Sequence, residues 1–122
     1  MRKTLCVAML LLPLSLFADH LDVIQTELRD GCSMEKYLKL KNDFNEQWGK
    51  KNGYLAEVIV PVQSNDLETI YWIGRSANAA AFGKAWDTWR DELADPNTVA
   101  GKLAARFEEC NTDVSRRGYD VY

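Results

Sequence analysis

The chain has 122 residues, a formal net charge of −3 and 27% charged side chains. Phosphate recognition needs clustered Lys and Arg, so an acidic chain of this size is not expected to bind nucleic acid or an anionic membrane surface. Arg116-Arg117 is its only adjacent arginine pair and reads as strand decoration.

The first element is a leader. Arg2 and Lys3 precede an uncharged run over residues 5–17, which Ala18 closes before Asp19. A short positive region, an apolar core and a small residue at a cleavage point form the pattern of a secretory signal peptide over residues 1–18. The run is shorter than the roughly twenty apolar residues that span a bilayer. No cysteine follows it to carry a lipid, so no stable membrane anchor is expected. Residues 19–122 are then expected to form one domain, periplasmic or secreted. Losing Arg2 and Lys3 moves the charge from −3 to −5. Cys6 leaves with the leader, and an even pair, Cys32 and Cys110, remains for one disulfide in an oxidising compartment.

Residues 21–29 nearly alternate polar and apolar side chains and end at Asp30-Gly31, which predicts a strand and a turn. Ser33 is placed to cap a helix whose stripe is Tyr37, Leu40, Phe44 and Trp48, widened by Met34 and Leu38. Asn52-Gly53 stops it. Residues 54–62 form a β-rich run in which Pro61 marks an edge or a bulge. Ser64-Asn65-Asp66 turns the chain into a return strand over residues 68–75. Ser76 or Asn78 caps a second helix with Phe82, Trp86 (or Ala85), Trp89 and Leu93 on one face. Asp95-Pro96 breaks it, and Asn97 or Thr98 caps a continuation carrying Val99, Leu103, Phe107 and Cys110. Residues 111–113 end that helix, and residues 114–122 alternate loosely into a last strand.

The order strand, helix, strand, strand, broken helix, strand is the βαββαβ order of the α+β ferredoxin-like sandwich, a four-stranded antiparallel sheet with helices on one face. That topology brings the start of the first helix and the end of the broken helix to one rim of the sheet. Cys32 and Cys110 lie at those two points. Both faces of the middle strands carry bulky apolar groups: Ile70 and Trp72 oppose Tyr71 and Ile73, and Leu55 and Ile59 oppose Val58 and Val60. Helices cover one face only, so the other is expected to pair with a second copy.

The strand Thr69-Ile70-Tyr71-Trp72-Ile73, the helix over residues 79–93 with Trp86-Asp87-Thr88-Trp89, and the break Ala94-Asp95-Pro96 resemble the dimeric α/β-barrel superfamily. Within it the chain is similar to the NIPSNAP-like and antibiotic-biosynthesis-monooxygenase-like branches. The resemblance implies a homodimer through the sheet face, with a pocket between sheet and helices in each subunit. The haem-degrading branch of that superfamily uses an asparagine on the first strand and a histidine on the second helix. Here the first strand offers Gln25 and Thr26, residues 77–93 hold no histidine, and Trp72 alone matches. No cofactor and no metal site are expected.

Four tryptophans are many for so short a chain. Trp48, Trp72 and Trp86 are candidates to line a pocket for a small hydrophobic or aromatic ligand, although aromatics at helical spacing equally build a core. Asn45, Glu57 and Arg75 are the candidate polar groups in that pocket. Glu57 and Arg75 pair across the strands in the structural alternative; an unpaired Glu57 would be a candidate acid or base. His20, the single histidine, lies at the new amino terminus, away from any nucleophile. The preferred function is ligand binding by an exported homodimer. The alternatives are a cofactor-independent monooxygenase or isomerase and a structural interaction protein.

Overall fold

The computed structural model describes residues 19–122. The leader expected over residues 1–18 lies outside the described residues. Among those described, no helix is long and apolar enough to cross a membrane.

The first strand, β1 (His20–Leu28), buries Asp22, Ile24 and Thr26 on one face. It leads to α1 (Met34–Phe44), where Ser33 Oγ accepts from Lys36 N at 3.1 Å and satisfies one of the free amides of the first turn. The helix then widens into a π turn over Asn45–Gly49 and tightens into a 3₁₀ turn over Lys50–Asn52. Gly53, at φ 71°, ends it in the left-handed conformation that a side chain would disfavour.

Two strands follow, β2 (Leu55–Ile59) and β3 (Ile70–Ser76). β2 stops before Pro61, which has no amide hydrogen for a ladder. The helical layer resumes with α2 (Ala79–Leu93), capped by Asn78, and α3 (Val99–Cys110), capped by Thr98. Ser76, the other candidate cap, stays in β3. Between the two helices Thr98 Oγ1 donates toward the Glu92 and Asp95 carbonyls, each at 2.8 Å, and fixes the break. The last strand, β4 (Asn111–Asp120), begins three residues earlier than the sequence alternation suggests. Residues 111–113 are ladder partners of β1 rather than a turn, and a register shift opposite Gln25 and Thr26 had blurred the alternation.

The sheet order β2-β3-β1-β4, antiparallel throughout, is the expected ferredoxin-like arrangement. The helices pack on one face over Tyr37, Leu40, Phe44, Trp72, Ala85 and Leu103. Cys32 and Cys110 form a disulfide with a Cα–Cα distance of 5.0 Å. It joins the start of α1 to the end of α3 where β1 and β4 meet, beside the Arg29 N to Cys110 O hydrogen bond of 2.9 Å.

Among the described residues, no helix covers the other sheet face. Leu55, Glu57 and Ile59 of β2 share it with Tyr71, Ile73 and Arg75 of β3 and with Leu21 and Val23 of β1, as the ladder register requires. Leu55 and Ile59 are about half exposed there, and Val60, Val62 and Leu67 of the adjoining loop are exposed as well.

Candidate functional site

Between the sheet and the helices lies a cavity of about 240 Å³. That exceeds the roughly 150 Å³ known to admit benzene and lies just below the roughly 300 Å³ at which small-molecule sites commonly begin. Its scale is one or two fused rings. Aromatic rings dominate the wall: Phe44, Trp48 and Tyr37 from α1 and its extension, Trp72 from β3, Phe82, Trp86 and Trp89 from α2, and Phe107 from α3.

Phe44 sits at the centre of this set, with its ring 5.1 Å from Trp72 and 5.6 Å from Tyr54 and Trp89, near edge-to-face in each case. Such geometry sets positive ring edges against negative ring faces and holds the walls in place. The π turn brings Trp48 onto the same side as Phe44, where its Nε1 donates to Glu92 Oε2 at 2.9 Å. That bond ties the Trp48 indole to α2 by its polar tip.

One end of the cavity is polar. Asp22, 2% exposed, accepts from Arg116 Nε at 2.8 Å and from Arg116 Nη2 at 2.6 Å, a two-pronged ion pair between β1 and β4. Tyr54 Oη also donates to Asp22 at 2.8 Å and accepts from Trp72 Nε1 at 2.9 Å. The Arg116 guanidinium lies 4.0 Å from the centre of the Trp86 ring, in cation–π contact. Beside it, Asn111 Nδ2 donates to Thr26 Oγ1 at 2.9 Å and to Asp113 Oδ1 at 3.2 Å.

Burial pushes the Tyr54 phenol well above its ordinary range, with the Asp22 charge adding to the effect, and burial likewise raises Tyr37. Both hydroxyls stay protonated near neutrality. Asp113 is raised above the usual carboxylate range, chiefly by desolvation, while the nearby Arg116 charge opposes the shift. Asp113 lines the cavity and keeps contact with solvent, which places it toward the mouth.

Of the residues singled out from sequence, the fold brings Trp48, Trp72 and Trp86 together around this cavity. It does not bring the three polar candidates there. Asn45 is spent on the backbone of β2, donating to Ala56 O at 2.9 Å and accepting from Ala56 N at 2.8 Å. Glu57 has the strand parity of Leu55 and Ile59, so its side chain stands on the open face of the sheet. Arg75 shares that face and pairs with Asp19 at 2.8 Å rather than with Glu57.

The polar groups that do line or back the cavity are Asp22, Tyr37, Tyr54, Asn111, Asp113 and Arg116. Three of these lie on β4, whose start was misplaced. Asp22 was hidden because Leu21 and Val23 suggested the opposite parity. The available signal was the even spacing of Asp22, Ile24 and Thr26, with Arg116 as the counter-charge that a buried Asp requires.

No family model matches the chain, and no curated protein matches it by sequence. Its fold is shared with solved structures. One is the cofactor-independent oxygenase SnoaB from Streptomyces nogalater, at a TM-score of 0.56 and 10% identity, covering 86% of this chain and 94% of that one. A second is a conserved protein of unknown function from Bacteroides thetaiotaomicron, described as a possible oxidoreductase. It matches at a TM-score of 0.53 and 8% identity over 85% of this chain and 98% of that one. The chain has a ferredoxin-like fold. At such identities the likeness concerns the fold and leaves function to the site.

Proposed function

We propose that this is an exported, homodimeric domain that binds a small flat hydrophobic molecule between its sheet and its helices. The observation that carries the reading is the cavity of about 240 Å³, walled by aromatic rings and polar at one end. A core assembled only for stability is close-packed, with few voids larger than a water molecule. This space persists because Trp48, Trp72 and Trp89 are held by hydrogen bonds and ring contacts that stop them collapsing inward.

Export is supported by the leader pattern of residues 1–18 together with the Cys32–Cys110 disulfide. Pairing of two copies is supported by Leu55 and Ile59 on the face away from the described helices, which a folded monomer leaves about half exposed.

Tryptophan fluorescence of the purified protein, titrated with a panel of flat one- and two-ring organics, tests the binding reading. Saturable quenching is expected, and Ala104→Trp, which fills the cavity from α3, should abolish it. A protein that no member of the panel quenches does not have this function.

An enzymatic reading, as a cofactor-independent oxygenase or an isomerase, draws on Asp113, a cavity carboxyl that desolvation makes a better proton acceptor than usual. Oxygen uptake or isomerisation of a bound ligand that is lost in Asp113→Asn would favour it. Quenching without turnover leaves a binding protein.

A further inference from the structure

The fixed charges around the cavity bear on which flat molecule it takes. This inference rests on the binding reading above and concerns the ligand's charge. Asp22 and Arg116 cancel, since the guanidinium gives both its Nε and one Nη to the Asp22 carboxylate. Its remaining attraction is directed at the Trp86 face. Tyr37 and Tyr54 are neutral because burial raises both phenols.

Asp113 then shares with Asp22 the single nearby guanidinium of Arg116, whose two hydrogen bonds both go to Asp22, so two carboxylates face one cation. The hydrogen-bond partner of Asp113 is the neutral Asn111 amide at 3.2 Å, and no salt bridge to it forms among the described residues. A further carboxylate, Glu92, stands behind Trp48 at 2.9 Å from its Nε1. Aromatic rings wall the space, and one of them, Trp86, already holds a cation over its face, Arg116 at 4.0 Å.

Every uncancelled electrostatic feature therefore has one sign. We propose that the cavity selects a planar aromatic cation of one or two rings, an ammonium or protonated ring nitrogen meeting Asp113 at the mouth while the ring lies among the indoles. Such a ligand supplies the second positive charge that Asp22 and Asp113 together lack. An anionic ligand of the same shape meets Asp113 directly and finds Arg116 already paired.

The experiment is a calorimetric titration of the full processed protein with three molecules that share a ring system: naphthylmethylamine, methylnaphthalene and naphthoate. The amine should bind about tenfold more tightly than methylnaphthalene, and naphthoate should bind most weakly. Asp113→Asn should remove the advantage of the amine over methylnaphthalene. On the unaltered protein, acidification through the Asp113 titration should shrink the same advantage, a readout that does not depend on the variant folding. Naphthoate binding as tightly as the amine, or an amine advantage that survives both Asp113→Asn and acid, overturns the proposal and leaves the binding function standing. Failure of all three molecules to bind overturns the binding function and the charge selection with it.

Discussion

Gly74 and Tyr54 compete for one volume. A Cβ on Gly74 would fall 1.8 Å from Tyr54 Cζ and 1.9 Å from its hydroxyl oxygen. Glycine at this point of β3 is what lets the ring lie flat over the sheet, and the ring carries its hydroxyl from there to Asp22. Gly74→Ala is expected to destabilise the protein by about 1–3 kcal/mol, the usual cost of overpacking. The displaced ring would also leave Trp72 Nε1 without its acceptor. Urea denaturation measures the loss, and an unchanged midpoint would show that the ring can move aside freely.

Removing only the Tyr54 hydroxyl isolates the second effect. Tyr54→Phe keeps the ring above Gly74 but strands Trp72 Nε1 in a buried site, and Asp22 retains Arg116 alone. An unsatisfied buried donor costs about 1–3 kcal/mol. Asp22→Asn should interact with this change in a double-mutant cycle, because both act on one network. Strict additivity of the two would mean that the hydroxyl and the carboxylate act independently.

The fold was largely legible from the chain because each helix carries its own punctuation: Ser33, Gly53, Asn78 and the Asp95-Pro96 break are local signals that tertiary packing did not override. Trp48, Trp72 and Trp86, three of the four indoles of the cavity, were legible for the same reason, being set by helical and strand spacing. The polar end was not. Asp22 and Arg116 are 94 residues apart, and nothing local marks an ion pair that exists only once β1 and β4 are adjacent. Asn45 was misread because the π turn points its amide at Ala56, and Glu57 because the helices chose the opposite face of β2.

Asp113 should leave a signature in the pH dependence of stability. Its carboxyl is raised in the folded state, so the native protein binds that proton more tightly than the unfolded chain does. Its contribution therefore improves as pH falls through the raised value and is complete below the unfolded value. Relative to Asp113→Asn, the parent protein should gain stability on acidification. Asp43, lowered by hydrogen bonds from Lys39 and Arg106, works in the opposite sense, and its contribution is lost as pH falls. Parallel stability curves for the parent and Asp113→Asn between neutral and acid pH would contradict the assignment.

The disulfide closes most of the described chain into one loop, its ends separated by 78 in sequence. In the chain-entropy account such a link stabilises by restricting the unfolded ensemble, and about 2–4 kcal/mol is expected from it. Cys32→Ser with Cys110→Ser should lower the urea midpoint by a corresponding amount. A reductant added to the parent protein should do the same, because both operations remove the same link. Mass spectrometry of protein recovered from the exported fraction should find no free thiol at either position.

The proposed pairing of two copies places a sharper demand on Ile59. This side chain is 48% exposed on the open face of β2, beside the half-exposed Leu55, and touches none of the cavity. A lysine there costs a monomer little, since exposed substitutions commonly change stability by no more than about 0.5 kcal/mol. In a face-to-face pair it forces an ammonium between two apolar surfaces, where burial without a partner is costly. Ile59→Lys is therefore expected to halve the sedimenting mass at micromolar concentration while leaving the circular dichroism spectrum unchanged. A parent protein that already sediments as single subunits would remove the dimer. The cavity would be untouched by that result, since it lies on the opposite side of the sheet from Ile59.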